Sequence, residues 1–388
     1  MTPTPPKKNT RRANIVLVMV FFALLWLPLV DNLLGLDHTR PTDENRALAP
    51  PPVKRPIKRA IKEFPRNFEA WYNDRFGFRT MLVRQYHTIK TGWLGIANPD
   101  LALVGKEGWL FLGRKPLIDE ARGLYPALDI GIDAWASRLE EIRQWQVARG
   151  GKFLLVLVPD KHRIYPEYLP DWFVPSEQRR KEQFLAAHTE SAMDILDLTQ
   201  SLRDAKAVAP ERLWLKTDTH WSGVGAYYGY AAILEHLGMT PLAPDAVHLV
   251  DEAPRYEGDW HNDSNLAGFL GVRGLMPESW VGLLPNAPRA DVTTDYPPPT
   301  GEVGDVVVPF ATKIDDDALP TALLIGDSFR WGLVPLMSEN FRQILYTDFR
   351  YCFFDPTLAE ELAPDVIIFL MTERMFLRIP MPPENNTW

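Results

Sequence analysis

Two short stretches of this sequence carry side chains that together could activate a hydroxyl group. Ser328 follows Gly326 closely, at the end of the apolar run 322–325. Earlier in the chain, Asp218 and His220 are separated by one residue. A serine hydroxyl is a poor nucleophile until a base takes its proton, and an imidazole oriented by a carboxylate is such a base. These residue types predict a serine nucleophile, a histidine base and an orienting aspartate.

The sequence around each stretch suggests how these side chains are positioned. An apolar run of four residues stopped by glycine is typical of a buried strand, and open α/β sheets place their ligands at the carboxyl ends of such strands. Residues two apart in an extended segment point the same way, so Asp218 and His220 are expected to share one face. The backbone N–H of Ser328 is the expected oxyanion donor. The pattern assigns no second donor.

Other interpretations of these stretches stay open at this stage. Gly-Asp-Ser is also a common turn, and Asp-x-His also occurs at helix starts. A metal site built from Asp218, His220, His261 and Asp263 is the main chemical alternative. It ranks lower because the sequence has no compact histidine-rich motif. The prediction is therefore a site without a metal or any other cofactor.

The composition restricts the class of protein. The chain has 388 residues, of which 46% are hydrophobic and 24% charged, as in ordinary globular proteins. The formal net charge of −8 argues against a nucleic-acid partner. Cys352 is the single cysteine, which excludes an internal disulfide and makes a thiolate metal site implausible.

The N-terminal part has the pattern of a membrane anchor. Basic residues precede an apolar run long enough to cross a bilayer core of roughly 30 Å. A cleaved signal peptide is the competing interpretation, but no small-x-small site follows Val30. We predict an inner-membrane protein with a single span and a periplasmic body. Its expected parts are a cytoplasmic tail (1–14), a transmembrane anchor (15–36), a proline-rich linker (37–58) and one catalytic domain (59–388).

Hydrophobic periodicity predicts alternating helices and strands in the rest of the chain. Helical spacing extends over 59–95, with a break at Gly77, and a hairpin is expected over 101–112. Further helices are predicted over 133–149, 176–188 and 223–237, the last two capped by Ser176 and Ser222. Strands are predicted over 153–158, 192–198, 322–325, 343–347 and 366–371, whereas 240–320 is expected to be irregular. The pattern indicates an α/β fold with a mainly parallel sheet and helices on both faces.

Several motifs in order along the chain resemble one known family. These are Glu44 to Ala49, Gly105 to Gly113, Val158 to Lys161 with Ile164 to Pro170, and the two stretches described above. Together they resemble the SGNH hydrolase-like domain of the alginate O-acetyltransferases AlgJ and AlgX and of the related DHHW proteins. The similarity extends over roughly residues 40 to 380. The order aspartate–histidine–serine is the reverse of that in ordinary SGNH hydrolases and agrees with this family's permuted arrangement.

The resemblance implies a function and partners. It implies a periplasmic enzyme that moves acetyl groups to exopolysaccharide hydroxyls, with a membrane-bound O-acyltransferase bringing acetyl across the membrane. Asp218, His220 and Ser328 would form its catalytic triad. Lys161 and Tyr165 are candidates for the substrate cleft, with a structural role as the alternative. Arg330 would bind an anionic sugar or cap a helix.

The resemblance is expected to be closer to AlgJ than to AlgX. The apolar N-terminal run agrees with AlgJ, and the sequence ends soon after the Val366 strand, whereas AlgX-type proteins carry a C-terminal carbohydrate-binding module. Two other functions stay open for the same residues. One is a carbohydrate acetylesterase, in which water replaces the sugar hydroxyl as acceptor. The other is a catalytically silent module of the cell envelope that binds polymer or recruits the acyltransferase.

Overall fold

The structure is a computed structural model that describes residues 8–37, 49–51, 57–93, 102–124, 130–250, 266–267, 276, 278, 282–293, 309–349 and 353–377. The chain divides into two compact units. The first comprises residues 1–97 and 268–275, and the second comprises residues 98–267 and 276–388. The predicted domain boundary at residue 58 stays a prediction.

The first unit is helical where it is described. It contains α1 (Lys8–Leu34), α2 (Ile57–Arg75) and α3 (Arg79–His87), followed by a π-helical segment, Thr88–Trp93. Within α1, Arg11–Leu34 is long and apolar enough to cross a membrane. The predicted break at Gly77 is confirmed, because α2 ends at Arg75 and α3 begins at Arg79. A Cβ atom at Gly77 would lie 2.2 Å from the carbonyl oxygen of Pro28.

The second unit alternates helices and strands. Its described helices are α4 (Lys115–Ala121), α5 (Ile130–Val147), α6 (Lys161–Ile164), α7 (Arg180–Ala187), α8 (Thr199–Val208), α9 (Gly223–His236), α10 (Val334–Met337) and α11 (Pro356–Leu362). Its described strands are β1 (Ala102–Val104), β2 (Leu110–Leu112), β3 (Lys152–Val158), β4 (Ile195–Asp197), β5 (Val247–Val250), β6 (Gly282–Pro285), β7 (Asp291–Thr293), β8 (Phe310–Lys313), β9 (Thr321–Gly326), β10 (Gln343–Thr347) and β11 (Val366–Thr372).

Seven strands form the main sheet, in the order β4-β3-β11-β9-β10-β8-β7. The first five run parallel to one another, whereas β8 is antiparallel to both of its neighbours, β10 and β7. The sheet is therefore mixed: four of its six strand pairs are parallel, as expected, and the antiparallel pairs at one edge were not predicted. Two antiparallel pairs, β1-β2 and β5-β6, complete the described strands. Because β9 lies between β11 and β10, its carboxyl end has a parallel strand on either side.

Both faces of the sheet are buried, as the continuous apolar strands predict. One face of β3 packs with α8 and α9 through residues such as Leu154, Leu202 and Tyr230. The other face packs with α5, α7 and α11 through residues such as Leu155, Trp135 and Phe184. The prediction of helices on both faces is confirmed.

Three local predictions have different outcomes. The hairpin is confirmed, with Ala102 opposite Leu112. The Ser222 cap is also confirmed, because its hydroxyl accepts from the Gly225 N–H at 3.2 Å. The Ser176 cap is wrong: α7 begins at Arg180, and the Ser176 hydroxyl instead accepts from the Gln178 N–H at 3.0 Å.

The interval 240–320, which the sequence indicates to be irregular, contributes β5, β6, β7 and β8. These strands are only three or four residues long. Segments of this length give little periodicity. Their sheet partners, rather than their own sequence pattern, make them strands.

A buried histidine gives this fold a predicted sensitivity to acid. His162 lies between the rings of Phe111 and Phe173, with centroid distances of 5.2 and 5.8 Å. Burial, with smaller effects from the nearby cations Arg179 and Lys161, lowers the pKa of His162 to about 3. Below about pH 6.5 the unfolded chain therefore binds a proton that the folded chain excludes. The free energy of unfolding consequently decreases as the pH is lowered.

We expect His162→Phe to remove this contribution. The free energy of unfolding of the wild type should fall relative to that of the variant by about 1.4 kcal/mol per pH unit below pH 6.5. Urea unfolding of both full chains in detergent at pH 7.5, 6.5 and 5.5 measures the difference. Parallel pH dependences for the two proteins would contradict a neutral buried His162.

Candidate active site

The serine turn begins where β9 ends, at Gly326, and continues into a short 3-10 helix, Ser328–Gly332. Asp327 holds this turn through a fully buried carboxylate. One of its oxygens accepts from the Phe329 N–H at 2.9 Å, and the other accepts from the N–H and hydroxyl of Thr372 at 2.9 and 2.8 Å. Asp327 thus caps the turn and ties it to the end of the neighbouring strand β11.

The second stretch lies in a loop closed by two short antiparallel segments. Trp214 pairs with Trp221, and the Ser222 N–H donates to the Leu213 oxygen at 2.8 Å. Residues 216–220 form bends at the tip of this loop. The Trp221 indole N–H donates to the carbonyl oxygen of Phe329 at 3.1 Å, which joins the loop directly to the serine turn.

The structure brings Asp218, His220 and Ser328 together. The Nδ1 atom of His220 lies 2.6 Å from Oδ1 of Asp218, and its Nε2 atom lies 2.9 Å from Oγ of Ser328. A carboxylate only accepts hydrogen bonds, so Nδ1 carries the proton and Nε2 is the acceptor for the serine hydroxyl. Asp218 and His220 are buried, whereas Ser328 is partly exposed. This is the arrangement by which an imidazole activates a serine.

The physical reason predicted for the Asp218–His220 pair was wrong. The two residues do not face the same way on an extended segment, because the chain bends between them. Oδ1 of Asp218 accepts the backbone N–H of His220 at 2.9 Å as well as the ring N–H. This local bond folds the Asp218 side chain back over the following residues, a common property of aspartate in turns.

Lys161 is close to the site, but its ammonium group faces the loop. Its Nζ donates to the carbonyl oxygens of Leu215, Lys216 and Asp218 at 2.9, 3.2 and 2.6 Å, and the residue is only 3% exposed. Three carbonyl contacts match the three N–H groups of an ammonium. This geometry favours the structural alternative over contact with a substrate.

Tyr165 is buried as well. Its hydroxyl accepts from the Leu213 N–H at 2.9 Å, and its ring stacks on Trp109 at a centroid distance of 4.5 Å. Tyr165 therefore supports the base of the loop that carries Asp218. As for Lys161, the contacts favour a structural role.

Arg330 points into the protein. The residue is fully buried, and its NH1 atom lies 2.8 Å from Oδ2 of Asp348, which follows β10. NH1 also donates to the carbonyl oxygens of Gly326 and Asp327 at 3.2 and 2.9 Å. The guanidinium thus fastens the serine turn to the next parallel strand. These contacts match neither of the two predicted roles of Arg330, which were binding of an anionic sugar and capping of a helix.

A buried charge cluster joins the ends of β3 and β11 beside the site. Glu373 accepts from Arg163 at 2.7 Å, from Arg179 at 3.1 Å and from the Asp160 N–H at 3.0 Å. Burial alone would raise the pKa of Glu373, but the surrounding cations lower it to about 2. Burial raises the pKa of Asp160 to about 6, although Arg374 opposes this shift. The cluster fixes the segment that precedes Lys161.

Ser328 offers its backbone N–H as the predicted oxyanion donor. Within the described part of the chain, this N–H donates to no acceptor, so it is available to a ligand. Arg374, which the sequence reasoning did not select, follows β11 and lies over the Phe329 ring, 5.0 Å from its centroid. The His220 ring also packs against Phe329, 5.1 Å from the same centroid.

The alternative metal site includes two residues that lie outside the described part of the chain. His261 and Asp263 are not among the described residues. Among those that are described, no three His, Cys, Asp or Glu side chains group in a way that could hold a metal ion. Asp218 and His220 bond to each other and to Ser328, as given above.

The fold and this arrangement agree with the comparison to known families. The family described as SGNH hydrolase-like domain, acetyltransferase AlgX, matches residues 102–369, which is more than half of the chain. The chain therefore belongs to this family. The resemblance deduced from the sequence motifs is confirmed.

The chain is also similar to individual proteins of known name. A protein of Pseudomonas aeruginosa named "Probable alginate O-acetylase AlgJ" is 28% identical over 68% of this chain and 65% of its own length. One of the same name from Pseudomonas fluorescens is 25% identical over 49% of this chain and 46% of its own. The matches thus span less than two thirds of these relatives. Among solved structures, the O-acetyltransferase domain of Pseudomonas putida AlgJ is similar at 20% identity over 74% of this chain and 95% of that domain, with a TM-score of 0.45.

We expect Arg330→Met to destabilise the folded protein. The change leaves the buried carboxylate of Asp348 without its guanidinium partner, and breaking such a pair costs about 3–5 kcal/mol. Thermal unfolding of the full chain in detergent measures the loss. Arg342→Met is the control, because Arg342 pairs with Asp317 on the surface. A fully stable Arg330→Met protein would contradict the structural role.

Proposed function

We propose that this protein is an O-acetyltransferase that moves acetyl groups to hydroxyls of an exopolysaccharide through an acetyl-serine intermediate. The observation that carries the proposal is the continuous hydrogen-bonded chain from Asp218 through His220 to Ser328. Membership of the acetyltransferase family supports the type of group transferred. The names of the relatives, probable alginate O-acetylases, support a polysaccharide acceptor.

The first half-reaction acylates the serine. Nε2 of His220 takes the proton of the Ser328 hydroxyl as Oγ attacks the carbonyl carbon of the acetyl donor. The negative charge that develops on the carbonyl oxygen is stabilised by the Ser328 backbone N–H. When the donor's bond to acetyl breaks, the leaving group takes the proton from the imidazolium. Asp218 stabilises that imidazolium through the bond at Nδ1.

The second half-reaction transfers the acetyl group to the acceptor. His220 takes the proton of a sugar hydroxyl, whose oxygen attacks the acetyl-serine carbonyl. The serine oxygen leaves and regains its proton from His220, so that the enzyme returns to its starting state. If water attacks instead, the same residues release acetate, and the protein acts as an esterase.

The proposed location follows from the N-terminal helix. We propose that α1 anchors the protein in the inner membrane, with its second unit in the periplasm. Arg11–Leu34 has the length and apolar character of a span, and the basic residues before it favour a cytoplasmic N-terminus. A membrane-bound O-acyltransferase is the proposed source of acetyl groups.

The serine assignment predicts a large loss of activity in Ser328→Ala. Acetate release from 4-nitrophenyl acetate by the full chain in detergent should fall roughly 10³-fold or more, because the nucleophile is gone. Ser137→Ala is the matched control, because the Ser137 hydroxyl donates to the Asp133 carbonyl oxygen on the exposed side of α5. A Ser328→Ala protein with full activity and an intact fold would refute the assignment.

The acceptor is tested separately. The purified full chain is incubated with the same acetyl ester and with oligosaccharides, either anionic or neutral, and the products are weighed by mass spectrometry. We expect a mass gain of one acetyl group on an oligosaccharide, which is absent with His220→Ala. Release of acetate without any acetylated sugar would favour the esterase, and inactivity towards both would favour a binding module.

A further inference from the structure

The loop that carries Asp218 and His220 depends on other parts of the chain for its backbone hydrogen bonds. Residues 215–220 form no regular secondary structure and are mostly buried. Buried peptide groups need hydrogen-bond partners, and this bent loop supplies only some of them itself, such as the Leu215 N–H that donates to the His220 carbonyl oxygen at 3.3 Å. One partner is the hairpin strand β2, where the Leu110 N–H donates to the Lys216 carbonyl oxygen at 2.9 Å. Most of the others come from two charged side chains.

Lys161 supplies the donors. Its ammonium lies against the carbonyl oxygens of Leu215, Lys216 and Asp218, at distances from 2.6 to 3.2 Å. The shortest of these bonds is to Asp218 itself. Lys161 also lies over the face of the Phe111 ring, 5.3 Å from its centroid, so the cation is enclosed. Burial lowers the pKa of Lys161 to about 7, while Asp218 and Glu278 oppose the shift.

Glu278 supplies the acceptors. One of its carboxylate oxygens accepts from the Lys216 N–H at 2.7 Å. The other accepts from the N–H of Thr217 at 2.6 Å and from its hydroxyl at 2.7 Å. Bonds from backbone N–H groups to a carboxylate are stronger than bonds between neutral groups. The Glu278 side chain is 10% exposed and also pairs with Arg212 at 3.2 Å.

The two side chains act on the same peptide groups from opposite sides. The peptide between Leu215 and Lys216 has its C=O on Lys161 and its N–H on Glu278. The peptide between Lys216 and Thr217 is held in the same way. In each trans peptide the C=O and N–H point in opposite directions, so a cation on one side and an anion on the other fix the orientation of its plane.

We infer that Lys161 and Glu278 are positioning residues for the catalytic pair, and we call them the Lys161–Glu278 clamp. The two clamped peptides lead directly into Asp218, whose carboxylate orients His220. A tilt of these peptides would move Nε2 of His220 relative to Oγ of Ser328, a distance on which proton transfer depends. The inference rests on the proposed function, because it assigns a role in that reaction. It also predicts a structural effect that is measurable without turnover.

Lys161→Met and Glu278→Gln test the clamp in the full chain in detergent. Glu278→Gln keeps the shape of the side chain but replaces one of its two accepting oxygens with an NH2 group, so one loop N–H loses its partner. For both variants we expect kcat for acetate release from 4-nitrophenyl acetate to fall about 10- to 100-fold, because small misplacements of catalytic groups lower the rate by such factors. KM should change less than about twofold, because the clamp does not face the substrate.

The structural readout is the proton on Nδ1 of His220. In protein labelled with 15N-histidine, its short bond to Asp218 should give a downfield resonance that shifts or broadens in both variants. Glu339→Gln is the matched control for Glu278→Gln, because buried Glu339 accepts the N–H groups of Arg289 and Ala290. Lys206→Met is the control for Lys161→Met, since its ammonium donates to the Ile164 carbonyl oxygen. Both controls should keep the wild-type kcat and resonance.

The possible outcomes separate the clamp from the proposed function. Wild-type kcat and an unchanged His220 resonance in Glu278→Gln would overturn the clamp, even if Ser328→Ala is inactive. If Ser328→Ala retains activity, the proposed function fails, and the resonance alone decides whether the clamp positions His220. If Lys161→Met does not fold, Glu278→Gln decides, because its partly exposed site tolerates an amide better than a lost buried cation.

Discussion

The contact between His220 and Ser328 is the interaction on which the proposed chemistry of this protein depends. Their side chains meet at 2.9 Å although they are 108 residues apart in the sequence. His220 lies outside the helices and strands, and Ser328 is only the first residue of a short 3-10 helix, so regular hydrogen bonding fixes neither side chain. One is on a bent loop, and the other begins a single 3-10 turn. The contact therefore requires both loops to be held by their surroundings.

Each loop is held by buried charge. Asp327 and Arg330 fasten the serine turn to β11 and to the end of β10. On the other loop, Lys161 and Glu278 bind the two sides of the same peptides. Burying charges is costly unless each finds a partner, and backbone groups of irregular loops have the same requirement. When a buried charged side chain bonds to the backbone groups of a loop, both requirements are met, and the loop has one preferred conformation.

The need to bond the buried backbone groups of these loops explains why three residues predicted to contact substrate face the interior instead. Lys161 and Tyr165 contact the loop that carries Asp218, Arg330 follows Ser328 by two residues, and all three side chains are of types that bind sugars or anions. In the structure their polar atoms bond to carbonyl oxygens, to a backbone N–H and to Asp348. Their contacts hold the Asp218 loop and the serine turn in place. A motif near a catalytic residue thus indicates proximity to the site, but not which way a side chain points.

The sequence by itself determined the strands that bury both faces, the breaks at glycine and the types of the three reacting side chains. These features are local: an apolar run, a glycine within a helical pattern and an Asp-x-His pair are visible in the sequence itself. Tertiary structure alone decided the antiparallel pairing of β8 with β10 and β7, the contact between His220 and Ser328, and the role of Glu278. Glu278 is some 60 residues from the loop that it binds, and no periodicity marks it. Short strands and isolated charged side chains obtain their roles from the groups they meet, and those groups are adjacent only after the chain has folded.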